Sequence, residues 1–136
     1  MGNQSKKEQN KLKNEQFLEN LRGQDGIGEL RGGVLYRVIE SGDGRGEVGP
    51  RSVVTCHYKG STINGRVFDE TFSKGTPAAF RVNELISGFQ IALVNMHVGD
   101  HWEVYIPSEL GYGSRGAGDI PKNATLIFEI QLVAVY

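Results

Sequence analysis

The sequence predicts an α+β protein in which one helix packs against an antiparallel β-sheet. Three observations predict this class. The C-terminal segment ATLIFEIQLVAVY alternates apolar and polar residues, VVTCHY is rich in β-branched residues and precedes a turn at Asn64-Gly65, and the second half of the chain has a single helical pattern. We expect the helix and the sheet to bury each other's apolar faces.

Residues 1–33 are predicted to be a helical extension followed by a linker. The segment QSKKEQNKLKNEQFLENLRG contains good helix formers and ends at a glycine. Its apolar residues are few: Leu12, Phe17, Leu18 and Leu21. We therefore expect the first half of this helix to project into solvent, the chain to be a monomer, and the remaining domain to be stable without residues 1–22. Residues 23–33 are polar and Gly-rich, which is typical of a linker, so the domain is expected to span 34–136.

The elements of this domain follow in order from residue 34. VLYRVIE reads as a strand that ends at the turn-forming cluster SGDGRGEVGP, and VVTCHY is the next strand, before the Asn64-Gly65 turn. ELISGFQIALVNM then repeats apolar residues at helical spacing, namely Ile86, Phe89, Leu93 and Met96. HWEVYIP alternates and places Trp102, Val104 and Ile106 on one face. Strand alternation likewise places five residues on one face of the last strand: Leu126, Phe128, Ile130, Leu132 and Ala134.

Composition excludes several classes of function. The 136 residues suffice for one domain, and a formal net charge of −1 gives no reason to expect nucleic acid or a membrane as partner. The single Cys56 cannot form an internal disulfide and is expected to be a buried, inert thiol. The sequence has no run of 18 apolar residues and no signal-peptide pattern. We therefore expect a cytoplasmic protein, or a periplasmic one if the N-terminus has been trimmed.

Neither the glycine motifs nor the histidines indicate a cofactor or a metal. GRGEVG (44–49) and GYGSRG (111–116) both fit G-x-G-x-x-G, but neither opens a helix that would bind a pyrophosphate. His97 and His101 are four residues apart, yet a glycine breaks any helix between them and no further ligands complete a site. We expect no cofactor, no metal, and histidines that are solvated or structurally hydrogen-bonded, including His57.

A set of aromatic residues spread along the chain could form either core or pocket lining. Any one of them would by default be core. Asp69 and Tyr112 favour a pocket, because they would add polar groups to it, and Tyr112 lies between two glycines in a loop. The set comprises Tyr58, Phe68, Phe80, Phe89, Tyr112 and Phe128.

Six segments, in this order, resemble the FKBP-type peptidyl-prolyl cis–trans isomerase family: VVTCHYKG, NGRVFDETF, ELISGFQIAL, HVGD, IPSELGYG and IPKNATLIFEIQL. The segments PAAFRVNELISGF and WEVYIPSELGYG are most similar to the bacterial subgroup related to macrophage infectivity potentiator. The resemblance covers residues 34–136. It implies an antiparallel sheet of five to six strands wrapped around one short helix.

The resemblance also implies the residues of the site. The catalytic residues implied are Tyr58, Phe68, Asp69, Tyr112 and Phe128, and the substrate-binding residues implied are Phe80, Leu85, Ile86, Phe89 and Ile120. The Ile86 N–H and the Tyr112 hydroxyl would hold substrate carbonyls, and Asp69 would act electrostatically rather than as a general base. Two positions depart from the family pattern: Phe89 stands where the family usually has tryptophan, and Ala78 where the best-known eukaryotic members have phenylalanine.

The reaction implied requires no nucleophile, metal or proton relay. Rotation about an X-Pro bond is slow because it breaks amide resonance, with a barrier of roughly 18–20 kcal/mol. The twisted transition state is less charge-separated than the planar amide, so a dry aromatic pocket favours it. We therefore expect an isomerase that acts on proline-containing polypeptides, prefers an apolar residue before proline, and is inhibited by macrolides such as tacrolimus or rapamycin. The alternative is a proline-peptide or macrolide-binding module with weak or no turnover, which Phe89 favours.

Overall fold

The protein forms one antiparallel sheet with a helix on each face, in a computed structural model that describes residues 6–136, with only the main chain of Lys7. The helices are α1 (Lys6–Leu21) and α2 (Ser87–Leu93). The strands are β1 (Ile27–Glu29), β2 (Leu35–Glu40), β3 (Val53–Ser61), β4 (Val67–Glu70), β5 (Ala78–Arg81), β6 (His101–Ile106) and β7 (Leu126–Val135). The start of the predicted N-terminal helix, before Lys6, lies outside the described residues. None of the helices in the described range is long and apolar enough to cross a membrane.

The sheet has seven strands, against the five to six expected. Its order is β1-β2-β6-β7-β3-β4, and β5 also pairs with β3. Along one side of β3, β5 pairs with residues 53–56 and β4 with residues 59–61, while β7 covers the other side. The count exceeds the expectation because two short strands share this side of β3 and because β1 adds a strand at the far edge.

The helix α2 packs on one face of the sheet, as the sequence predicts. Gly88 makes the close approach possible, because a Cβ atom there would lie 2.9 Å from Ile106 Cγ1. The sheet residues that face α2 are the alternating positions of β6 and β7, and Trp102, Val104 and Ile106 are all buried as expected. The predicted α+β architecture is therefore confirmed.

The alternation predicted for the last strand is correct up to Leu132 and wrong for Ala134. Leu126, Phe128, Ile130 and Leu132 are buried, but the register between β3 and β7 then shifts. Cys56 pairs with Leu132 and Thr55 with Ala134, so Val133 is left out of the pairing and is 42% exposed. This bulge moves Val135, rather than Ala134, onto the core face.

The helix α1 lies on the opposite face of the sheet and is docked there by its second half. Leu18 is buried with Leu35 and Tyr105, and Phe17 and Leu21 pack around them. A polar contact also reaches the first half of the helix. Asn10 Nδ2 donates a hydrogen bond of 2.8 Å to the Lys122 carbonyl, which lies in the loop before β7. Most described side chains of the first half, from Glu8 to Lys13, are exposed as the scarcity of apolar residues predicts, and only Asn10 is half-buried.

Residues 23–33 are not a free linker. Ile27–Glu29 form β1 and pair antiparallel with β2 in the register Ile27–Arg37 and Glu29–Leu35. A strand of three residues next to glycines carries too little alternation to be recognised from sequence. The division into units at residues 33 and 34 stays a prediction, but the segment on its N-terminal side is integrated into the sheet.

Candidate active site

Five aromatic rings from five different elements meet between α2 and the sheet; we call them the aromatic cluster. Phe89, on α2, lies at the centre: its ring centroid is 5.0 Å from that of Phe128, 6.2 Å from Tyr58 and 6.4 Å from Phe80. Phe68 lies edge-on to Phe128 at 5.6 Å. Phe89 and Phe128 are each only 4% exposed, whereas the other three are half-buried. The cluster thus has a buried centre and an accessible border.

Gly60, on β3, gives two of these rings room to lie over the sheet. It pairs with Asp69 on β4 and with Phe128 on β7. A Cβ atom at this position would lie 2.6 Å from Phe68 Cζ and 2.7 Å from Phe128 Cε1, closer than side-chain packing tolerates. Sequence analysis assigned Gly60 no role; the available signal was its position two residues after Tyr58, on the same face of the strand.

The hydroxyl of Tyr58 donates a hydrogen bond of 2.5 Å to Asp69 Oδ2 at the border of the aromatic cluster. Asp69 is exposed on β4, so the acid flanks the aromatic rings and is not enclosed by them. Burial, followed by this hydrogen bond, raises the pKa of Tyr58 well above its ordinary value, and the charges of Asp69, Tyr112 and Glu70 add to the effect. Tyr58 therefore stays protonated and remains a donor near neutral pH.

Thr71 fixes the main chain of Tyr58 from just beyond the end of β4. Its buried hydroxyl accepts the Tyr58 N–H at 2.9 Å, and its own N–H donates to the Tyr58 carbonyl at 2.9 Å. Its Oγ1 also lies 2.9 Å from His57 Nδ1, which confirms the structural hydrogen bond expected for that histidine. Sequence analysis missed Thr71, because a threonine after a strand gives no signal of the partner that it will bind.

Tyr112 and Ile120 come from residues 111–125, which we call the Tyr112 loop. Ile120 is 8% exposed and belongs to the same core as the aromatic cluster, and its main chain pairs with Ala117. Tyr112 is 38% exposed. Burial and the hydrogen bond to Asp69 are the main causes of the raised pKa of Tyr58, and an electrostatic interaction with Tyr112 adds a smaller contribution. Ile120 therefore packs in the same core as the aromatic cluster, and the role of Tyr112 stays a prediction.

The Ile86 N–H lies at the start of α2, next to a peptide carbonyl that a side chain holds in place. Leu85 and Ile86 are half-buried against the core, and Gln90 Nε2 donates a 2.6 Å hydrogen bond to the Leu85 carbonyl. In a trans peptide the carbonyl and the following N–H point in opposite directions, so this bond also fixes the direction of the Ile86 N–H. Within residues 6–136 this N–H has no hydrogen-bond acceptor. Gln90 was missed by sequence analysis, since nothing local distinguishes it from other polar helix residues.

The remaining histidines and the cysteine have structural surroundings. His101 Nε2 lies 2.7 Å from Glu129 Oε1, and the main-chain N–H of His97 donates to Asp100 Oδ2 at 2.8 Å. Burial raises the pKa of Cys56 to about 12, which agrees with the inert thiol expected. In the part of the chain that the structure describes, no group of three His, Cys, Asp or Glu side chains is placed to hold a metal ion.

This fold and this site define a known class of protein. Residues 44–133 match the family described as FKBP-type peptidyl-prolyl cis-trans isomerase. The match covers more than half of the chain, and the chain therefore belongs to the FKBP-type peptidyl-prolyl cis–trans isomerase family. The family predicted from the six sequence segments is thus confirmed.

Relatives of the predicted bacterial subgroup extend the similarity to nearly the whole chain. The chain is 42% identical over 131 residues to the outer membrane protein MIP of Legionella longbeachae, covering 96% of this chain and 56% of that protein. It is 39% identical over 127 residues to the peptidyl-prolyl cis-trans isomerase Mip of Coxiella burnetii, covering 93% and 55%. The chain therefore spans a little over half the length of these curated relatives.

Solved structures agree with the fold. A peptidyl-prolyl cis-trans isomerase from Pseudomonas syringae pv. tomato superposes with a TM-score of 0.88 at 33% identity, over 98% of both chains. FkpA from Escherichia coli superposes with a TM-score of 0.87 at 33% identity, over 93% of this chain and 59% of that chain. At 98% coverage the first similarity includes α1 and β1, which lie outside the matched residues 44–133.

The two positions that depart from the family pattern lie in different surroundings. Phe89 is the buried centre of the aromatic cluster. Ala78 begins β5, is half-buried, and pairs with Cys56 on β3. The first departure therefore changes the ring at the centre of the aromatic cluster, and the second changes a side chain two residues from Phe80.

Proposed function

We propose that this chain catalyses cis–trans isomerisation of X-Pro bonds in proline-containing polypeptides. One observation carries the proposal: five aromatic rings meet in one apolar cluster, and the N–H of Ile86, which packs against the same core, has no acceptor among residues 6–136. We take the Tyr112 hydroxyl, on the loop that also carries the buried Ile120, as the second hydrogen-bond donor of the site. Such a site offers a proline ring an apolar surface and offers the flanking carbonyls two hydrogen-bond donors. Membership of the family supports the same activity.

In the proposed mechanism the proline ring packs on Phe89. The Ile86 N–H and the Tyr112 hydroxyl bind substrate carbonyls on either side of the rotating bond and hold the two ends of the substrate. The rings of Tyr58 and Phe128 exclude water, so the polar, planar amide is less well solvated than in bulk water. The twisted transition state has lost conjugation and charge separation, and it suffers less from this loss of solvation.

Asp69 acts electrostatically in this proposal, because the reaction moves no proton. Its exposed carboxylate accepts from Tyr58 and keeps that ring in one orientation against Phe89. Its negative charge also lies where the carbon of a bound, polarised carbonyl would be positive. Asp69 thereby contributes by position and charge.

The second candidate function is a binding module with little turnover. The observation that favours it is Phe89, whose ring is smaller than an indole and has no N–H donor. Both candidates predict binding of proline peptides and of macrolides such as tacrolimus and rapamycin, whose pipecolyl ring resembles proline. Only measured turnover separates the two, so affinity alone is not a test of the first.

The direct test is exchange spectroscopy by NMR, or a protease-coupled assay, on short X-Pro peptides. We expect acceleration over the uncatalysed rate, with a preference for an apolar residue before proline, because Tyr112, Ile120 and Phe80 would line that side. Tyr112→Phe should reduce kcat/KM, and Tyr136→Phe, at a 78% exposed position, should not. If the wild-type chain at high micromolar concentration matches the uncatalysed rate while binding tacrolimus, the binding-module function is correct.

We also propose that this chain is a monomer. Phe17, Leu18 and Leu21, the apolar residues that an intermolecular helix contact would need, are already used against the sheet. The remaining apolar residue of α1, Leu12, is 50% exposed. One leucine side chain offers too little apolar surface for a stable dimer interface. Light scattering tests this; a dimer mass would contradict it.

The compartment is proposed to lie outside the cytoplasm. One relative is named an outer membrane protein, and this agrees with the periplasmic alternative expected from the sequence. Nothing found supports the cytoplasmic expectation. Fractionation of cells that express the native gene, with detection of this chain, tests the proposal; recovery with cytoplasmic markers would contradict it.

A further inference from the structure

We propose that Asn14, on α1, is a positioning residue for the isomerase site and acts through the Tyr112 loop. The inference rests on the proposed function, because it assumes that Tyr112 binds substrate. Asn14 does not touch the aromatic cluster. It accepts a hydrogen bond from Thr125, at the C-terminal end of the loop that carries Tyr112 and Ile120.

Asn14 is a buried polar side chain on a helix whose neighbouring residues are mostly exposed. It is 3% exposed, and its Oδ1 accepts the Thr125 N–H at 2.7 Å. Its Nδ2 donates to the Asn10 carbonyl at 2.8 Å, so both halves of the amide are paired. Thr125 is 1% exposed, and without Asn14 its N–H would be a buried donor with no partner, which is costly.

A second contact from α1 reaches the same segment. Asn10 Nδ2 donates to the Lys122 carbonyl at 2.8 Å. Between the two bonded positions lies Asn123, whose φ of 59° is in the left-handed region that residues with a side chain rarely adopt. The Asn123 N–H donates to the Gly113 carbonyl at 2.9 Å. A continuous series of hydrogen bonds therefore connects α1 to the residue that follows Tyr112.

The Tyr112 loop needs such contacts because it has little regular structure of its own. Within the described loop, the strand-like pairing is limited to the single bridge between Ala117 and Ile120. Glycines stand at 111, 113, 116 and 118, and they increase the main-chain freedom that must be restricted. A displacement of about 1 Å in a substrate-binding hydroxyl is enough to reduce the rate. Helix α1 supplies the contacts that fix the C-terminal end of this loop.

The first experiment compares three variants in the isomerase assay, well below their unfolding temperatures. Asn14→Ala removes the acceptor for the Thr125 N–H and should lower kcat/KM by about five- to tenfold, the loss of one buried hydrogen bond. Asn14→Asp keeps an acceptor oxygen for the Thr125 N–H but loses the donor to the Asn10 carbonyl, so it should recover only part of the activity. Asn20→Ala is the matched control on an exposed position of the same helix, and its kcat/KM should equal that of wild type.

A double-mutant cycle separates positioning from a general structural role. If Asn14 acts through Tyr112, Asn14→Ala should have less than a twofold effect in a Tyr112→Phe background, since the hydroxyl that it positions is gone. A purely structural role would lower kcat/KM by the same factor in both backgrounds. Equal factors, or wild-type kcat/KM in Asn14→Ala alone, would overturn the proposal.

Amide hydrogen exchange tests the same proposal without an activity readout. The amides of Gly113 and Asn123 should exchange at least several-fold faster in Asn14→Ala than in Asn20→Ala, and wild-type exchange at both sites would refute the positioning role. If wild type proves inactive, the proposed function fails, and this exchange still decides whether α1 orders the loop. If Asn14→Ala does not fold, Asn10→Ala replaces it, because Asn10 is half-buried and also bonds to the loop. Faster exchange at Gly113 and Asn123 is then expected, and unchanged exchange would refute the proposal that α1 orders the loop.

Discussion

The Tyr58 hydroxyl and the Asp69 carboxylate are joined by a hydrogen bond of 2.5 Å, in which the half-buried ring donates and the exposed acid accepts. The pair connects β3 to β4 next to the point where Gly60 and Asp69 face each other. It explains why a lone acid stands beside aromatic residues: the acid has a hydroxyl partner that comes from another strand.

We predict that Asp69→Asn and Asp69→Ala lower kcat/KM by about tenfold while changing the free energy of unfolding little, because the lost group is one exposed, charged hydrogen-bond acceptor. Asp25→Asn, at an exposed turn before the far edge strand β1, is the control. Isomerase assays and urea titrations give the two quantities. Unchanged kcat/KM in Asp69→Ala would remove this carboxylate from the mechanism.

Alkaline pH should destabilise the fold. Burial raises the pKa of Cys56 to about 12, and burial followed by the hydrogen bond to Glu103 raises the pKa of Tyr105 to about 12. In the unfolded chain the pKa values of these groups are about 8.5 for cysteine and about 10 for tyrosine. The native state thus holds the protons more tightly, so the stabilisation is complete below the unfolded pKa values and is lost as pH rises toward 12.

Urea titrations at a series of pH values above about 9 measure this loss. Tyr105→Phe should make the free energy of unfolding fall less steeply with pH, because it removes one of the protons concerned. Tyr136→Phe, at a 78% exposed position, should leave the slope as in wild type. If the free energy of unfolding falls equally steeply with pH in both variants, Tyr105 does not contribute to the loss of stability at alkaline pH.

Gln90 should control the direction of the Ile86 N–H. Replacing it by Met keeps the size of the side chain but removes the 2.6 Å hydrogen bond to the Leu85 carbonyl. We expect kcat/KM and tacrolimus affinity to fall together by about three- to tenfold, the equivalent of one hydrogen bond. The control is Asn95→Ala, which removes a 2.8 Å bond to a carbonyl at the other end of α2. A similar loss in both variants would indicate damage to the helix instead.

Phe89→Trp should test the main departure from the family pattern. Phe89 is 4% exposed and touches three rings of the aromatic cluster, so the larger indole would enlarge the surface under the proline ring. We expect macrolide affinity to increase by a few-fold to about tenfold and kcat/KM to be preserved or raised. The new indole should report ligand binding above the signal of Trp102. If the macrolide affinity is unaltered and the fluorescence does not change on ligand binding, residue 89 belongs to the ordinary hydrophobic core and does not contact the ligand.

The docked helix α1 should contribute to stability, contrary to what the sequence suggests. Leu18→Ala should lower the free energy of unfolding by about 2–4 kcal/mol, because Leu18 is 8% exposed against Leu35 and Tyr105. Leu12→Ala, at a 50% exposed position of the same helix, should change it by about 0.5 kcal/mol or less. Equal effects would show that α1 is not docked in solution. Deletion of residues 1–22 should likewise destabilise the domain.

Much of the candidate site could be predicted because its residues lie in segments with strong local patterns. Tyr58 and Phe128 follow from strand alternation, Phe89 from helical spacing, and Tyr112 from a glycine-flanked loop. The residues that support them could not be predicted, because each is defined by a distant partner. Thr71 binds the main chain of Tyr58 across a hairpin, and Asn14 binds a residue at the other end of the chain.

The sequence by itself determined the class of fold, the two faces of most strands and the identity of the aromatic residues, since periodicity reports which side of an element is apolar. Only the tertiary structure decided that Val135 replaces Ala134 on the core face, that Ile27–Glu29 add an edge strand, and that α1 covers the second face of the sheet. These features depend on register and on matching of surfaces far apart in the chain. A local pattern shows that an apolar face exists, but the pairing of distant segments determines what covers it.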